Sequence, residues 1–586
     1  MTRVSMAERA KLAGFMMHCG LRKLLVQMNR RPVLPWPLVR SKADRLVISP
    51  QDLRTADATR ATEVYAGRFV FAGKVVICDA RSPFEIASPS DEWAAALLGF
   101  GWLRHLRAAE SGITRANARA LVDEWINLQG TLDPIAWRPD VTARRIMSWL
   151  SQATLVLHDA DLQFYRRFLR SLGKQVRYLR RSVADAQDGM PRFQAVIALT
   201  YAALCISSQL RHVRAATKKL VEEIDRQVLL DGGHISRNPE ALTELLLDLL
   251  PLRQAFTARN IPPPPQLFSA IDRMMPMLRF FRHGDGTFAL FNGSGPMVQD
   301  TLMTVLAYDD ARGTPVANAA YSGYQRLEAG DALVIADAGA PPPISVSAEA
   351  HAGCLSFEFS SGLDRIVVNC GMPAIGREVW RQVARATAAH STVTFNDSSS
   401  CRFVESASIK RFLGATPMLD GPSKIDVTRE ERGGAVALRA SHDGYAARYG
   451  IIHERDFVLP ADGERLDGED RFTAASGGEL PADGPDGFVV RFHLHPAIKA
   501  NRLSDGRGAV LMLPSKDVWT FNAYEHQVEI EESVFLAGRE GPRRTVQIVI
   551  YGNARVSPRV QWSFAHVTPA VAAARRAAQE EPELPL

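Results

Sequence analysis

Between about residues 90 and 310 the apolar positions of this chain return at three- and four-residue steps. EWAAALLGFGWLRHLRAA, ITRANARALVDEWINLQ, VTARRIMSWLSQATLVL and DLQFYRRFLRSLGKQVRYLRRSV carry this spacing, which puts apolar side chains on one helical face. RFQAVIALTYAALCISSQ, ATKKLVEEIDRQVLL, PEALTELLLDLL and PQLFSAIDRMMPMLRFF continue it. Breaks with Pro, Gly, Asp or Asn separate the runs, so the segment reads as successive helical hairpins curled into a ring or partial ring. After about residue 316 the period falls to two. CLSFEFSSG, DRIVVNCG, HSTVTFND, FVVRFHLH and TVQIVIYG read as strands. In the first, Leu355, Phe357 and Phe359 face one way and Ser356, Glu358 and Ser360 the other. Many short strands without interleaved helices predict an antiparallel sandwich.

The expected fold class is multidomain α + β. A lead-in over 1–85 holds an amphipathic helix and the strand-like RFVFAGKVVICDA, helices occupy 86–315, the sandwich takes 316–568, and a tail follows over 569–586 with VAAARRAAQEEPELPL as a loose helix.

Composition narrows the function classes. The chain has 586 residues, 46% hydrophobic and 23% charged, enough for two or three cores. No apolar run reaches the length of a membrane-spanning helix. Lys11 and His18 interrupt the N-terminal apolar positions, so this end reads as an amphipathic helix rather than a signal peptide. Cytoplasmic placement is the default expectation, with a periplasmic or envelope-associated place as the alternative. Six scattered cysteines without a CxxC pair predict reduced, buried thiols. The net charge of +6 favours an anionic partner. The absence of an RNP, zinc-finger or helix-turn-helix pattern puts nucleic acid behind the other anions, acidic polysaccharide or a membrane surface.

Four stretches carry candidate chemistry. In DGGHISRNPEAL, Asn238-Pro239-Glu240 is a helix start: a capping side chain, proline at the first helical position and an acid in the first turn. His234 and Arg237 are not needed for that start, and beside unpaired helix N–H groups they suit an anionic ligand; a buried structural histidine is the competing account. His351 and His390 open two predicted strands and Asn369 ends another, a set that offers two nitrogens and an oxygen to zinc. Two strand-end histidines held by hydrogen bonds are the alternative. In DEWINLQGTLDPIAWRPDVTARRIMSWL, Trp137 and Arg144 offer an aromatic face and a cation to an acidic sugar, whereas Trp149 reads as core.

Together with GDGTFALFNGSG, YSGYQRLEAGDALVIADAG, AHAGCLSFEFSSGLDRIVVNCG and RATAAHSTV, these stretches resemble the heparinase II/III family of polysaccharide lyases over roughly residues 100–560. The resemblance implies an incomplete (α/α) toroid followed by an antiparallel β-sandwich, and β-elimination on an acidic, uronate-containing polysaccharide. That reaction needs a neutralised carboxylate, a base for the C5 proton and an acid for the leaving oxygen. Several positions depart from the family pattern. Ala241 stands where the toroid motif GGHFERSPMYH carries its tyrosine, and Glu349 replaces the first histidine of HAHAD. No Asn-His pair appears in DGMPRFQAVIAL. The family's metal positions correspond to His351, Asn369 and His390, with asparagine replacing the acid, so the resemblance implies at most a structural zinc.

For an active lyase the proton-transfer candidates are His234, Glu349, Tyr321 and Tyr324, with Arg237, Asn238, Trp137 and Arg144 on the substrate. A glutamate base needs burial to raise its pKa, and a tyrosine base needs a nearby arginine to lower it. The alternative is an inactive carbohydrate-binding or envelope-associated member. A glycoside hydrolase using Glu240 and Glu349 is the third reading.

Overall fold

The computed structural model describes residues 6–30, 45–79, 81–128, 134–308, 313–374, 378–478, 480 and 484–567. The tail expected over 569–586 lies outside the described residues. The chain divides into two compact units. The first runs up to Ser236 and adds Ala241–Pro276 and Val298–Gly313; the second takes Arg237–Glu240, Met277–Met297 and everything from Thr314 on. The sequence reading kept 86–315 together, but 237–240 and 277–297 pack with the second unit.

The first unit is an incomplete (α/α) toroid. Its helices include Asp91–Leu98, Gly112–Leu128, Pro139–Ser151, Leu162–Ser182, Met190–Cys205, Val213–Gln227 and most of Pro239–Ala258. Their starts follow local chemistry. Asp161 accepts the Phe164 N–H at 2.8 Å and Ser90 that of Trp93 at 3.3 Å. Pro139 takes the first helical position, where its missing N–H costs nothing. Pro139–Ser151 packs on Met190–Cys205, which packs on Val213–Gln227. Trp93, Trp125, Trp149, Phe100 and Phe168 are buried together, with Trp149 stacked on Phe168 at 4.9 Å. Truncating such a tryptophan to alanine costs about 3–5 kcal/mol. RFVFAGKVVICDA forms the hairpin Arg68–Phe71/Lys74–Ile77, whose Phe71 packs on Trp93. The N-terminal helix spans Met6–Arg30. Among the described residues no helix is long and apolar enough to cross a membrane.

The second unit is the β-sandwich. Among the described residues, one antiparallel sheet has eight strands, from Ile425–Arg432 at one edge to Lys499–Arg502 at the other; a second has nine. The strand Ile451–Leu459 alternates buried and partly exposed positions with period two, so one face enters the core. Phe357, Phe359, Phe457, Phe492, Trp519, Trp562 and Phe564 fill the space between the sheets. The strand Phe357–Ser361 departs from a one-faced pattern, because Glu358 and Ser360 are buried as well. Residues 277–297 cover that second face: His283 meets Ser360 Oγ at 2.9 Å and Glu358 Oε2 at 3.0 Å, and Leu290 N–H donates to Glu358 Oε1 at 3.1 Å. All six cysteines are buried and unpaired; burial pushes Cys205, Cys370 and Cys401 up to about 12, which keeps them protonated thiols.

Candidate functional site

In the stretch that leads into the helix Pro239–Ala258, residues up to Ser236 count with the first unit and Arg237–Glu240 with the second. Gly232 holds φ at +90° with its Cα against the Arg273 carbonyl, where a Cβ would come within 2.1 Å, so the turn admits only glycine. The turn folds His234 back on Val228. The ring of His234 is buried, with Nδ1 at 2.6 Å from Ser236 Oγ and Nε2 at 3.1 Å from Gln227 Oε1. Burial holds it neutral, with a pKa of about 4. The proton-transfer role expected for His234 meets a ring whose two nitrogens both have protein partners; geometrically it is the structural histidine of the competing account. Asn238 Oδ1 accepts the Glu240 N–H at 2.9 Å, the capping role its position predicts.

Arg237, expected to neutralise a carboxylate, belongs to the second unit and is bonded within it. Its backbone takes φ of +61°. Nε donates to Ser322 O at 2.7 Å, Nη1 to Gly339 O and Ala340 O at 3.1 Å each, and Nη2 to Gly323 O at 3.4 Å and to Asp337 Oδ1. A guanidinium has five N–H donors, so none is left for a substrate. This is a correction: the cation is buried and tied to carbonyls and strand residues far along the chain, not presented at a helix mouth. Tyr324 lies beneath it, buried, with its ring centroid 4.7 Å from the guanidinium carbon. The Tyr324 hydroxyl donates to Arg237 O at 2.6 Å and accepts from Asn292 Nδ2 at 2.7 Å. Burial raises its pKa above the ordinary tyrosine value despite the arginine, the opposite of what a tyrosine base requires. Tyr321, in the turn between Asn318–Ala319 and Tyr324–Ala329, is 63% exposed.

Asn292 and Gly293 join this group to the rest. Asn292 Nδ2 also donates to Asp337 Oδ2 at 3.1 Å, and its Oδ1 accepts the His351 N–H at 3.1 Å. A Cβ on Gly293 would stand 3.1 Å from Asn238 Nδ2, from Glu349 Cβ and from Glu349 O, so these three residues adjoin. Glu349 leaves that floor toward solvent. Its carboxylate pairs with Arg381 of the helix Glu378–Ala384, the two side chains being 52% and 34% exposed. The burial that a glutamate base needs is therefore missing. Arg385, one turn on, donates to Ala350 O, Thr416 O and Ser347 O at 2.7–3.0 Å and fixes the 347–352 loop.

The histidine pair lies under this loop. His351 Nε2 receives the Gly293 N–H at 3.1 Å, His351 Nδ1 stands 2.9 Å from His390 Nε2, and His390 Nδ1 stands 2.8 Å from Ala386 O. Burial holds both rings neutral: His390 is lowered to about 4, and His351 is held well below the ordinary histidine value, chiefly by burial. Asn369 is buried; its Oδ1 accepts the Ser391 N–H at 3.0 Å and its Nδ2 has no partner among the described residues. Among the described residues no group of three or more His, Cys, Asp or Glu is placed to hold a metal ion.

Trp137 and Arg144 belong to the first unit. Trp137 is half-buried, edge-on to Tyr178 at 4.9 Å, and its carbonyl accepts the Tyr178 hydroxyl at 2.7 Å. Arg144 donates to both Asp248 oxygens at 3.2 and 3.3 Å, beside Arg54, which holds Asp248 and Glu244 at 2.8 Å each. A carboxylate already occupies Arg144. Sequence reasoning missed Asn292, Asp337, Arg381 and Arg385. The first two stand in motifs it quoted, FNGSG and VIADAG, and Arg385 opens RATAAH; Arg381 gave no signal.

The comparisons match this architecture. The family model Heparinase II/III-like, C-terminal covers residues 311–563. FtsZ-localized protein C of Caulobacter vibrioides is 32% identical over 531 residues, 89% of this chain and 90% of that protein. Among solved structures, Heparinase III superposes with a TM-score of 0.67 at 13% identity, covering 96% of this chain and 92% of that one. The heparan sulfate lyase HepC from Pedobacter heparinus gives 0.60 at 14%, covering 96% and 88%. At these identities the structures speak for the fold alone. The family model over the sandwich and the fold of the whole chain agree, and the chain belongs to the heparinase II/III-like family.

Proposed function

We propose that this chain is a non-eliminating member of the family, a lyase fold kept for binding, that works beside FtsZ. β-Elimination requires a donor for the uronate carboxylate, a base and an acid at one place. The observation that carries the reading is Arg237, all of whose N–H groups already meet protein acceptors. The remaining positions agree with it. Ala241 supplies no acid, the Tyr324 hydroxyl is engaged and buried, and His234 has both nitrogens bonded. The relationship to FtsZ-localized protein C along 90% of its length supports the cellular half of the proposal and keeps the cytoplasmic placement within it. An acidic polysaccharide remains the proposed ligand class, with Trp380, 41% exposed next to Arg381, offering an aromatic face beside a cation. A fluorescent fusion expressed in Caulobacter vibrioides tests the placement: overlap with labelled FtsZ is expected, and uniform fluorescence from an intact fusion contradicts it.

One observation favours retained elimination. The Glu349–Arg381 pair is half exposed, and exposed pairs are worth only about 0–1 kcal/mol. A substrate carboxylate can therefore take Arg381 from Glu349, and a polymer lying over the pair would supply the burial that Glu349 lacks in the free chain and needs as a base. That reading requires formation of unsaturated uronate that is lost in Glu349→Ala.

A further inference from the structure

We propose that His351 and His390 form a metal-free imidazole pair, each ring carrying its proton on Nδ1, where the family resemblance calls for zinc. The two ends of the chain of contacts fix its direction. The Gly293 N–H can only donate, so His351 Nε2, at 3.1 Å, presents its lone pair. The Ala386 carbonyl can only accept, so His390 Nδ1, at 2.8 Å, carries its proton. A neutral imidazole has one proton, which places His351's on Nδ1 and leaves His390 Nε2 as acceptor. The central 2.9 Å contact then runs from His351 Nδ1–H to His390 Nε2, and every ring nitrogen is used once.

Zinc does not fit this arrangement. To ligate through Nδ1, His351 would move its proton to Nε2, where it would face the Gly293 N–H, donor against donor. Gly293 has little freedom to yield: its φ is +92° and its Cα lies against Asn238 and Glu349. The neighbouring Asn292 and Ser294 are bonded to the His351 N–H and the Met372 N–H. The third family position is weakened separately: Asn369 is uncharged, its only possible ligand atom, Oδ1, already gives one lone pair to the Ser391 N–H, and turning the amide would set two donors together there. A buried dication with neutral donors alone also lacks compensating charge. The pair instead ties the 292–293 turn to the 386–390 segment beneath Glu349.

The test uses the full chain, purified without chelator, equilibrated with zinc chloride and freed of excess ion. Metal analysis is expected to find far less than one zinc per chain, with no shift in melting temperature on adding EDTA. Histidine-labelled protein is expected to show two buried rings protonated on Nδ1; His390→Gln removes the His390 signal, while His351, held by the Gly293 N–H, keeps its proton on Nδ1. Stoichiometric zinc released by His390→Gln overturns the proposal, as does an Nε2–H signal from His351. Zinc that survives His390→Gln lies elsewhere and leaves the pair as assigned. The wild-type spectrum decides the matter even where the variant does not fold.

Discussion

The Tyr324 hydroxyl donates to the backbone carbonyl of Arg237 at 2.6 Å while the Arg237 guanidinium lies over the Tyr324 ring. A residue from the start of a toroid helix and one from the sandwich thereby satisfy one another inside the second unit. Two side chains with the right chemistry for elimination are committed to structure. Tyr324→Phe leaves the Arg237 carbonyl and one Asn292 N–H without this partner, an expected loss of about 1–3 kcal/mol. Denaturant unfolding measures it; unchanged stability would contradict the structural assignment.

Arg237 and Asp337 form a buried ion pair. Removing one partner of such a pair costs about 3–5 kcal/mol, because the other charge stays buried and uncompensated. Asp337→Asn should therefore destabilise the chain strongly without altering the salt dependence of its binding to an acidic polymer. A change in that dependence at preserved stability would show that Arg237 faces the ligand.

Glu349 and Arg381 behave differently, being half exposed. Glu349→Ala should change unfolding free energy by less than about 1 kcal/mol. A loss of several kcal/mol, read from the same unfolding curves, would mean that the pair is structural.

Acid should weaken the fold in a defined window. Burial holds His105 and His234 at about 4 and His493 at about 3, below the ordinary value of about 6.5. Between those values the unfolded chain binds protons that the folded chain refuses, so stability rises with pH there. It is full above about 6.5 and falls as pH drops toward 4, by up to about 1.4 kcal/mol per unit for each histidine. Urea midpoints measured from pH 7 to pH 4.5 should decline; a flat profile contradicts the buried neutral rings.

Period and capping made much of this legible in the sequence. The switch from helical steps to alternation near residue 316 marks both architectures, and Asn238-Pro239-Glu240 announces its helix start. Glu358 and Ser360 were read on a face opposite the core, yet that face is covered by His283 and Leu290 from a segment some 70 residues earlier. Local alternation cannot report such a cover. Arg237 was misjudged for the same reason, since its acceptors lie 85 to 103 positions away. The histidines of AHAG and AAHS were visible as a pair, but the order of their protons depends on the Gly293 N–H, which no spacing rule connects to them.

The central claim is that the chain keeps the lyase fold without the elimination reaction. Its most direct test is ultraviolet absorbance of unsaturated uronate over a panel of acidic polysaccharides, with a heparinase III control and the Glu349→Ala variant alongside. The account predicts no absorbance increase from this chain on any polymer that the control enzyme or a matched lyase cleaves. A rising signal from the wild-type chain, abolished in Glu349→Ala at unchanged stability, would contradict it.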